Sequence, residues 1–207
     1  MPSDLDKISA CHRICFSNSF STKLGTAVTV KTFEWFLAAE NRFLFHISHN
    51  DQVIGYIGGL HPQYNGDGST SGMMRYAMKE ATVAISKKPW LIFSKEAIAM
   101  YPLIFKNIYH KVFKVSHNNN AGDISNAADF QNRIGLVVIG VHPGYRGKGI
   151  FELLIKQFEH EALLRKVSKL TLSVKTDNRH AINAYKKAGW LIAREHRNSV
   201  EMYKMQE

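Results

Sequence analysis

Cysteine is scarce in this sequence, and the scarcity excludes two kinds of architecture. Cys11 and Cys15 are the only cysteines among 207 residues, too few for a disulfide-stapled fold. They lie on one predicted helix, and we interpret them as two reduced, half-buried thiols. The sequence contains no His-Glu-x-x-His pattern, and its closest histidine pair is His46 and His49. No metal site is therefore predicted.

Long apolar runs and a secretory leader are also missing. No stretch of about 18 apolar residues occurs, so the sequence predicts no helix that spans a bilayer. The first residues, 1–6, carry acids where a signal peptide carries bases and an apolar stretch. Both absences favour a cytoplasmic protein.

Positive charge is plentiful but dispersed. The formal net charge is +10, and such a chain can bind nucleic acid, an anionic membrane or a phosphorylated ligand. No run of five or more bases and no nucleic-acid motif accompanies the charge. We therefore expect no nucleic-acid partner and interpret the lysines as a solvated surface, which would also suit a phosphorylated ligand.

The periodicity of the apolar residues predicts an α/β or α+β fold with a central sheet, in a single domain over residues 1–207. Helices are predicted over 5–15, 30–40, 73–85, 95–115, 148–167 and 179–188. Strands are predicted over 42–48, 53–60, 134–141, 169–175, 191–195 and 200–205. Residues 17–26, 64–72 and 117–132 are predicted to be loops. Residues 66–131 interrupt this succession of strands and helices and are interpreted as a helical insertion.

A basic, glycine-rich turn joins the strand at 134–141 to the helix that follows. The first N–H groups of a helix lack partners within the helix and lie at its positive end, so they attract anions. Gly147 and Gly149 would let a phosphate approach the backbone closely. Arg146 and Lys148 add full charges, and the turn therefore favours a diphosphate.

Two other phosphate-binding loops are excluded by their spacing. A Walker loop would need glycine at His142 and serine or threonine at Gly149. A dinucleotide fingerprint that starts at Gly147 would need glycine at Glu152. The alternative for this turn is an ordinary helix start without a ligand.

A second segment, residues 170–190, has the order strand, turn, short helix, Gly-Trp. Asn178 stands in the turn, and Tyr185 is the one large polar side chain on a helix face that is otherwise built of alanines. Taken singly, Asn178 could be only a helix cap. Tyr185 could likewise be only a core aromatic residue.

Together, the two segments resemble the GCN5-related N-acetyltransferase (GNAT) family. The shared pattern is Val141-His142-Pro143, Arg146-Gly147-Lys148-Gly149-Ile150, Leu172-Ser173-Val174, Asn178, Ala181, Tyr185 and Gly189-Trp190. The resemblance covers residues 134–205. It implies a mixed, mostly antiparallel central sheet flanked by helices, with the insertion between the third and fourth strands. It also implies acetyl-CoA as cofactor.

The resemblance assigns roles by position. The backbone of Ile139, Gly140 and Val141 would pair with the pantetheine arm of coenzyme A, as an added strand would. Asn178 would contact that arm, and Tyr185 would protonate the leaving thiolate as a general acid. The N–H group of Val141 would meet the thioester oxygen. The N–H groups that would hold the pyrophosphate belong to Arg146, Gly147, Lys148, Gly149, Ile150 and Phe151.

The sequence departs from the family pattern in three places. Phe151 stands where the phosphate turn usually ends in glycine or alanine, and its bulk could alter the fit of the phosphate. Ser173 stands where members that acetylate a protein N-terminus often have glutamate, so no general base is evident. The insertion at 66–131 is the third departure, and its segment 100–115 could form a lid, an acceptor pocket, a membrane contact or a packed helix.

The resemblance predicts an N-acetyltransferase that transfers an acetyl group directly to a primary amine of a small molecule. An amino sugar or a sugar nucleotide is the acceptor we favour, and the diphosphate of a sugar nucleotide would suit a basic pocket. The alternatives are a protein or peptide amine as acceptor, or a non-catalytic acyl-CoA-binding regulatory module. A homodimer is compatible with the sequence.

Overall fold

The computed structural model describes residues 2–63, 69–95, 97–98 and 132–206. The described residues up to 98 form α1 (Pro2–Cys15), α2 (Phe20–Leu24), α3 (Thr26–Leu37), β1 (Arg42–His49), β2 (Gln52–Leu60), α4 (Ser69–Tyr76), α5 (Met78–Lys87) and a 3-10 turn (Pro89–Phe93). Residues 132–206 form β3 (Arg133–Val141), a 3-10 turn (Pro143–Tyr145), α6 (Ile150–Leu164), β4 (Lys169–Lys175), α7 (Arg179–Lys187), β5 (Leu191–Glu195) and β6 (Ser199–Met205).

The strands form one six-stranded sheet in the order β1-β2-β3-β4-β6-β5. Neighbouring strands are antiparallel except for β3 and β4, which are parallel. The crossover between β3 and β4 contains α6, as a parallel connection requires. The predicted fold class, a mixed and mostly antiparallel sheet flanked by helices, is confirmed.

Helices cover both faces of the sheet. Phe158 and Leu154 of α6 are buried against Ile57 and Leu170 on one face, together with Tyr185 of α7. On the other face, α1 and α3 bury a cluster that includes Leu5, Ile8, Phe33, Phe36 and Tyr56. The sheet therefore separates two apolar cores, and a residue near the middle of a strand faces either α6 or α1.

The sheet opens at its centre. β3 and β4 pair only from Arg133↔Lys169 to Leu136↔Leu172, whereas β2 pairs with β3 as far as Gly55↔Val141. The β2–β3 register shifts between Gly58 and Gly59, which leaves Val137 as the extra residue of a bulge. Beyond the bulge, β3 keeps its partner on one side only, and this leaves an open strand edge toward β4.

The observed elements correct several predictions. The predicted loop at 17–26 contains the short helix α2, whose N-cap is Ser19, with a side chain that accepts a hydrogen bond from the Thr22 N–H. The helix predicted to begin at residue 30 begins at Thr26, directly after Gly25. The polar composition of this stretch concealed two helix starts, because Ser and Thr favour caps as well as loops.

The insertion lies after the second strand of the described sheet, between β2 and β3, because the described residues form no strand ahead of Arg42. The predicted loop at 64–72 gives way to α4 at Ser69, and α4 and α5 replace the single helix predicted over 73–85. Most of the predicted helix 95–115, the segment 100–115 and the loop at 117–131 lie outside the described residues. The single-domain organisation stays a prediction.

Candidate active site

The predicted phosphate turn has an open, concave backbone. Gly147 and Gly149 adopt the left-handed conformation, with φ of 73° and 79°, which glycine reaches without steric cost. A Cβ added at either residue would have no atom within 4 Å. The space over the turn is therefore empty and accessible to a ligand.

The amides of this turn are almost all free. The N–H of Arg146 donates to the carbonyl of Pro143 at 3.3 Å, and the N–H of Leu153 donates to Gly149 at 3.1 Å. Between them, the N–H groups of residues 147–152 have no protein partner in the described part of the chain. Five of the six predicted pyrophosphate contacts, Gly147 to Phe151, thus have a free donor, whereas the Arg146 amide is already occupied.

Arg146 and Lys148 contribute charge to the turn through exposed side chains. The Arg146 Nε donates to the carbonyl of Val141 at 3.3 Å, so this side chain spans from the turn to the end of β3. The Lys148 Nζ lies 5.0 Å from the centre of the Tyr145 ring. Both side chains can move toward a bound phosphate at little cost because both are solvent-exposed.

The end of β3 presents the open edge. The N–H of His142 donates to the carbonyl of Ile54, and these two residues continue the register in which Gly140 lies opposite Tyr56. Groups along a strand alternate in direction, so Gly140 also points its N–H and C=O toward β2. The backbone groups of Ile139 and Val141 therefore point away from β2, into the gap beside β4.

The three residues predicted to pair with the pantetheine arm thus differ in where their backbone groups point. Ile139 and Val141 have outward backbone groups that an extended ligand could pair with, and the Val141 N–H is placed to meet a carbonyl oxygen in the gap. Gly140 is used differently. A Cβ at Gly140 would lie 2.5 Å from the Tyr56 hydroxyl oxygen, so glycine makes room for a tyrosine from β2.

Tyr185 is a residue of the core beneath α6. Its side chain is 5% exposed, and its ring contacts Phe151 and Trp190, with centroids 5.5 Å and 5.8 Å away. Burial raises the pKa of its hydroxyl, so the phenol stays protonated at neutral pH. Within the described residues, that hydroxyl has no hydrogen-bond partner.

Phe151 explains part of this arrangement. It is the second residue of α6, directly after the turn, and its ring packs on Tyr185 of α7. The bulk that departs from the family pattern therefore lies against Tyr185 rather than over the turn. The N–H of Phe151 remains among the free amides.

Asn178 is the N-cap of α7. Its Oδ1 accepts a hydrogen bond from the Ala181 N–H at 3.2 Å, which satisfies one of the helix's free amides. Its side-chain NH₂ group remains on an exposed residue near the end of β4. The capping role is observed, and the contact with the pantetheine arm stays a prediction.

These groups fit an extended, amide-bearing molecule that ends in a pyrophosphate. The open edge of β3 matches alternating donors and acceptors, and the free amides and bases of the turn match phosphates. The described residues contain no group of three or more side chains suited to hold a metal ion. No helix in the described ranges is long and apolar enough to cross a membrane.

Sequence reasoning missed one polar pair at this site. His12 of α1 and Tyr56 of β2 are joined by a hydrogen bond of 2.7 Å between Nδ1 and Oη. Cys15 is half-buried one turn further along α1, with its sulfur 3.9 Å from that of Cys11. The sequence shows only a histidine among apolar helix positions and a tyrosine in a buried strand, and nothing in their spacing links them.

Comparisons with known proteins find one family for part of the chain. Residues 112–190 match the model of the acetyltransferase (GNAT) family. An acetyltransferase of Sodalis glossinidius (strain morsitans) is 43% identical over 49 residues, which are 24% of this chain and 34% of that protein. An acetyltransferase of Yersinia pestis (strain Pestoides F) is 41% identical over 49 residues, which are 24% of this chain and 35% of that protein. The matched stretch spans about a third of the length of these relatives.

Solved structures share this fold. The PaiA N-acetyltransferase from Thermoplasma acidophilum, in complex with coenzyme A, has a TM-score of 0.58 at 10% identity, covering 100% of this chain and 95% of that one. An aminoglycoside 6'-N-acetyltransferase complexed with coenzyme A has a TM-score of 0.57 at 13% identity, covering 99% and 92%. Residues 112–190 therefore match the acetyltransferase (GNAT) family, and the chain shares the fold of these two solved structures.

Proposed function

We propose that the chain transfers an acetyl group from acetyl-CoA directly to a primary amine of a small molecule, with amino sugars and sugar nucleotides as the first acceptors to test. One observation carries the proposal. The open edge of Ile139 and Val141 leads directly into the free amides of Gly147 to Phe151. Acetyl-CoA has the matching order of groups, a thioester, an arm with two amides and a pyrophosphate.

The donor would be held mainly by backbone. Ile139 and Val141 would pair with the arm, and the turn amides together with Arg146 and Lys148 would bind the pyrophosphate. Arg146 would have to release the carbonyl of Val141, to which its Nε now donates. This movement would free the carbonyl of Val141 to pair with the arm and the guanidinium of Arg146 to bind a phosphate.

Two groups would act on the reacting atoms. Acetyl-CoA supplies the activated acetyl group. The Val141 N–H would donate to the thioester oxygen as negative charge develops there. Tyr185 would donate its proton to the departing sulfur, since its phenol is protonated at neutral pH; the burial that raises its pKa makes it a weaker acid than a free tyrosine.

The experiment that tests the proposal is thermal unfolding with and without excess acetyl-CoA, followed by a screen of acceptors. A ligand that binds only the folded state adds about 2.7 kcal/mol of stability at a hundred times its dissociation constant. We expect a clear rise in Tm with acetyl-CoA. We also expect release of free thiol that depends on an amino sugar or a UDP-linked amino sugar.

Each failure has a separate meaning. No rise in Tm would show that the turn is only a helix start, and the proposal would be wrong. A rise in Tm without turnover on small-molecule amines or peptides would instead support a non-catalytic acyl-CoA-binding module. Turnover confined to peptides with a free N-terminus would support the acetyl transfer but show that the acceptor is a peptide amine and not a small molecule.

A further inference from the structure

The turn that follows α5 exposes large apolar side chains. In the 3-10 turn Pro89–Phe93, Trp90 is 64% exposed and Phe93 is 79% exposed. Ile92 of the same turn is 37% exposed. Of the large apolar side chains that the structure describes, that of Phe93 is the most exposed. Exposed apolar residues that are clustered, rather than scattered singly, indicate an interaction surface.

Leu91 fixes the direction in which this turn presents its side chains. It packs against the small apolar cluster between α2, α3 and α5. Its N–H donates to the carbonyl of Lys88 at 3.0 Å, and its carbonyl accepts a hydrogen bond from the Ser94 N–H at 3.1 Å. Side chains three residues apart lie on the same side of a 3-10 turn. Trp90 and Phe93 therefore form one outward face, while Leu91 anchors the turn to the protein.

Positive charge surrounds this outward face. The exposed lysines on either side of the turn are Lys87, Lys88 and Lys95. Residues 87–95, which we call the basic aromatic segment, contain no acidic residue, and the nearest acids along the sequence are Glu80 and Glu96. The segment therefore combines aromatic side chains with an excess of positive charge.

A groove beside the segment has the same balance of charge. It measures about 290 Å³ and lies between α5 and the start of α3. Lys79, Lys87 and Lys88 line it together with one carboxylate, that of Glu80. Three lysines against one carboxylate favour an anionic group in the groove, next to the exposed aromatic side chains.

We propose that the basic aromatic segment binds the surface of an anionic membrane, with Trp90 and Phe93 at the level of the lipid headgroups and the lysines against the lipid phosphates. Apolar insertion and attraction to anionic lipids are the two contributions that hold a protein at a bilayer surface. Tryptophan in particular favours the interface between bilayer and water. The inference does not depend on the proposed acetyl transfer.

Two other partners fit the segment less well. In a twofold contact between two copies of the chain, the same patch meets itself, so the lysines of one copy would face those of the other. The bases of a nucleic acid could stack on Trp90, but Ile92 offers no ring for stacking. An anionic membrane matches the lysines and also buries the aliphatic side chain.

Tryptophan fluorescence tests the proposal directly. The chain has three tryptophans, and Trp35 and Trp190 are only 2% and 1% exposed. A spectral change on addition of vesicles therefore reports Trp90. With vesicles of phosphatidylcholine and phosphatidylglycerol we expect a blue shift and quenching by brominated acyl chains. Binding to phosphatidylcholine alone should be at least about 10-fold weaker, because each lysine near an anionic surface strengthens binding about fivefold.

Two variants separate the apolar contribution from the charge. Phe93→Ala keeps Trp90 as the probe and should weaken binding to the anionic vesicles about 10-fold. Replacement of both Lys87 and Lys88 by glutamine should weaken it about 30-fold and reduce its dependence on salt. Both affinities can be measured by vesicle flotation. Because the altered side chains are exposed, the acetyl-CoA-induced rise in Tm should stay unchanged in both variants.

Matched controls carry the same kinds of change elsewhere. Leu164→Ala removes an apolar side chain that is 66% exposed at the end of α6. Replacement of both Lys186 and Lys187 by glutamine removes two exposed charges from α7. Both controls should bind the anionic vesicles within twofold of wild type. If the α7 variant lost as much affinity as the Lys87 and Lys88 variant, the attraction would belong to the whole basic surface and the proposal would be wrong.

Three further results would overturn the proposal. The first is the absence of binding to anionic vesicles, and the second is binding without a change in Trp90 emission. The third is tighter binding to a single-stranded oligonucleotide than to the vesicles, with loss of that binding in Phe93→Ala, which would identify a nucleic-acid surface. Self-association that Phe93→Ala abolishes, without vesicle binding, would instead identify an interface between copies. None of these results bears on acetyl-CoA binding, so the proposed function stands or falls separately.

Discussion

The phosphate turn and the His12–Tyr56 pair lie at the same opened edge of the sheet but are built in different ways. The turn is one contiguous segment, and its donors are backbone N–H groups left free by two left-handed glycines. The pair joins two side chains 44 residues apart in the sequence. A site made of backbone is altered by changing its conformation or its charge, whereas a site made of side chains is altered by removing single atoms.

The two regions also differ in their electrostatics. The turn is solvent-exposed and flanked by Arg146 and Lys148, so it favours negative charge. The pair is buried, and burial keeps both of its members neutral, since it lowers the pKa of His12 and raises that of Tyr56. The turn therefore suits phosphates, whereas the surroundings of the pair suit uncharged groups.

A charge placed in the turn should have the largest effect. Gly149→Asp puts a carboxylate among the free amides, where it would compete with the pyrophosphate and repel it. Aspartate tolerates the left-handed conformation better than most residues, so the charge is the main change. We expect acetyl-CoA affinity to fall at least 100-fold, or about 2.7 kcal/mol, in calorimetric titration.

Gly149→Asn is the matched control, because it has nearly the same shape without the charge. It should bind acetyl-CoA more tightly than Gly149→Asp and less tightly than wild type. If wild type and Gly149→Asp bound acetyl-CoA with equal affinity, the pyrophosphate would not bind at this turn, whatever the other assays show.

Removal of the Tyr185 hydroxyl should leave binding intact and slow the reaction. Tyr185→Phe keeps the ring contacts with Phe151 and Trp190, and the lost hydroxyl has no partner in the described part of the chain. We expect kcat to fall about 100-fold with unchanged acetyl-CoA affinity. Steady-state kinetics beside the calorimetric titration would check this, and an unchanged kcat would exclude Tyr185 as the acid.

The same contrast explains what the sequence could predict. The turn and its flanking strand and helix could be predicted because conformation, charge and spacing all lie within one short segment, residues 134–158. The strand at 169–175 was predicted with the observed ends. Motif spacing also located Tyr185, although only the structure shows that Phe151 packs on its ring.

The His12–Tyr56 pair could not be predicted, since its hydrogen bond depends on how α1 crosses β2. The difference between Gly140 and its neighbours was equally hidden, because the direction of a backbone group depends on strand register and not on residue type. The β3 bulge and the short β3–β4 pairing, which create the gap, have no signature in residue type either. Long-range packing, rather than local propensity, decides these features.

The smallest predicted effect is on the free energy of unfolding, and it depends on His12 and not on the turn. Its pKa is lowered from 6.5 to about 4 in the folded protein, so between these values the unfolded chain binds more protons than the folded one. Stability is therefore lost as the pH falls through this window, by at most about 1.4 kcal/mol per pH unit. His12→Asn lacks this proton uptake. Between pH 7 and pH 5, the free energy of unfolding should therefore fall more for wild type than for the variant. Urea unfolding at both pH values would measure the gap, with His160→Gln as the baseline, and a gap independent of pH would show that His12 is not held neutral by burial.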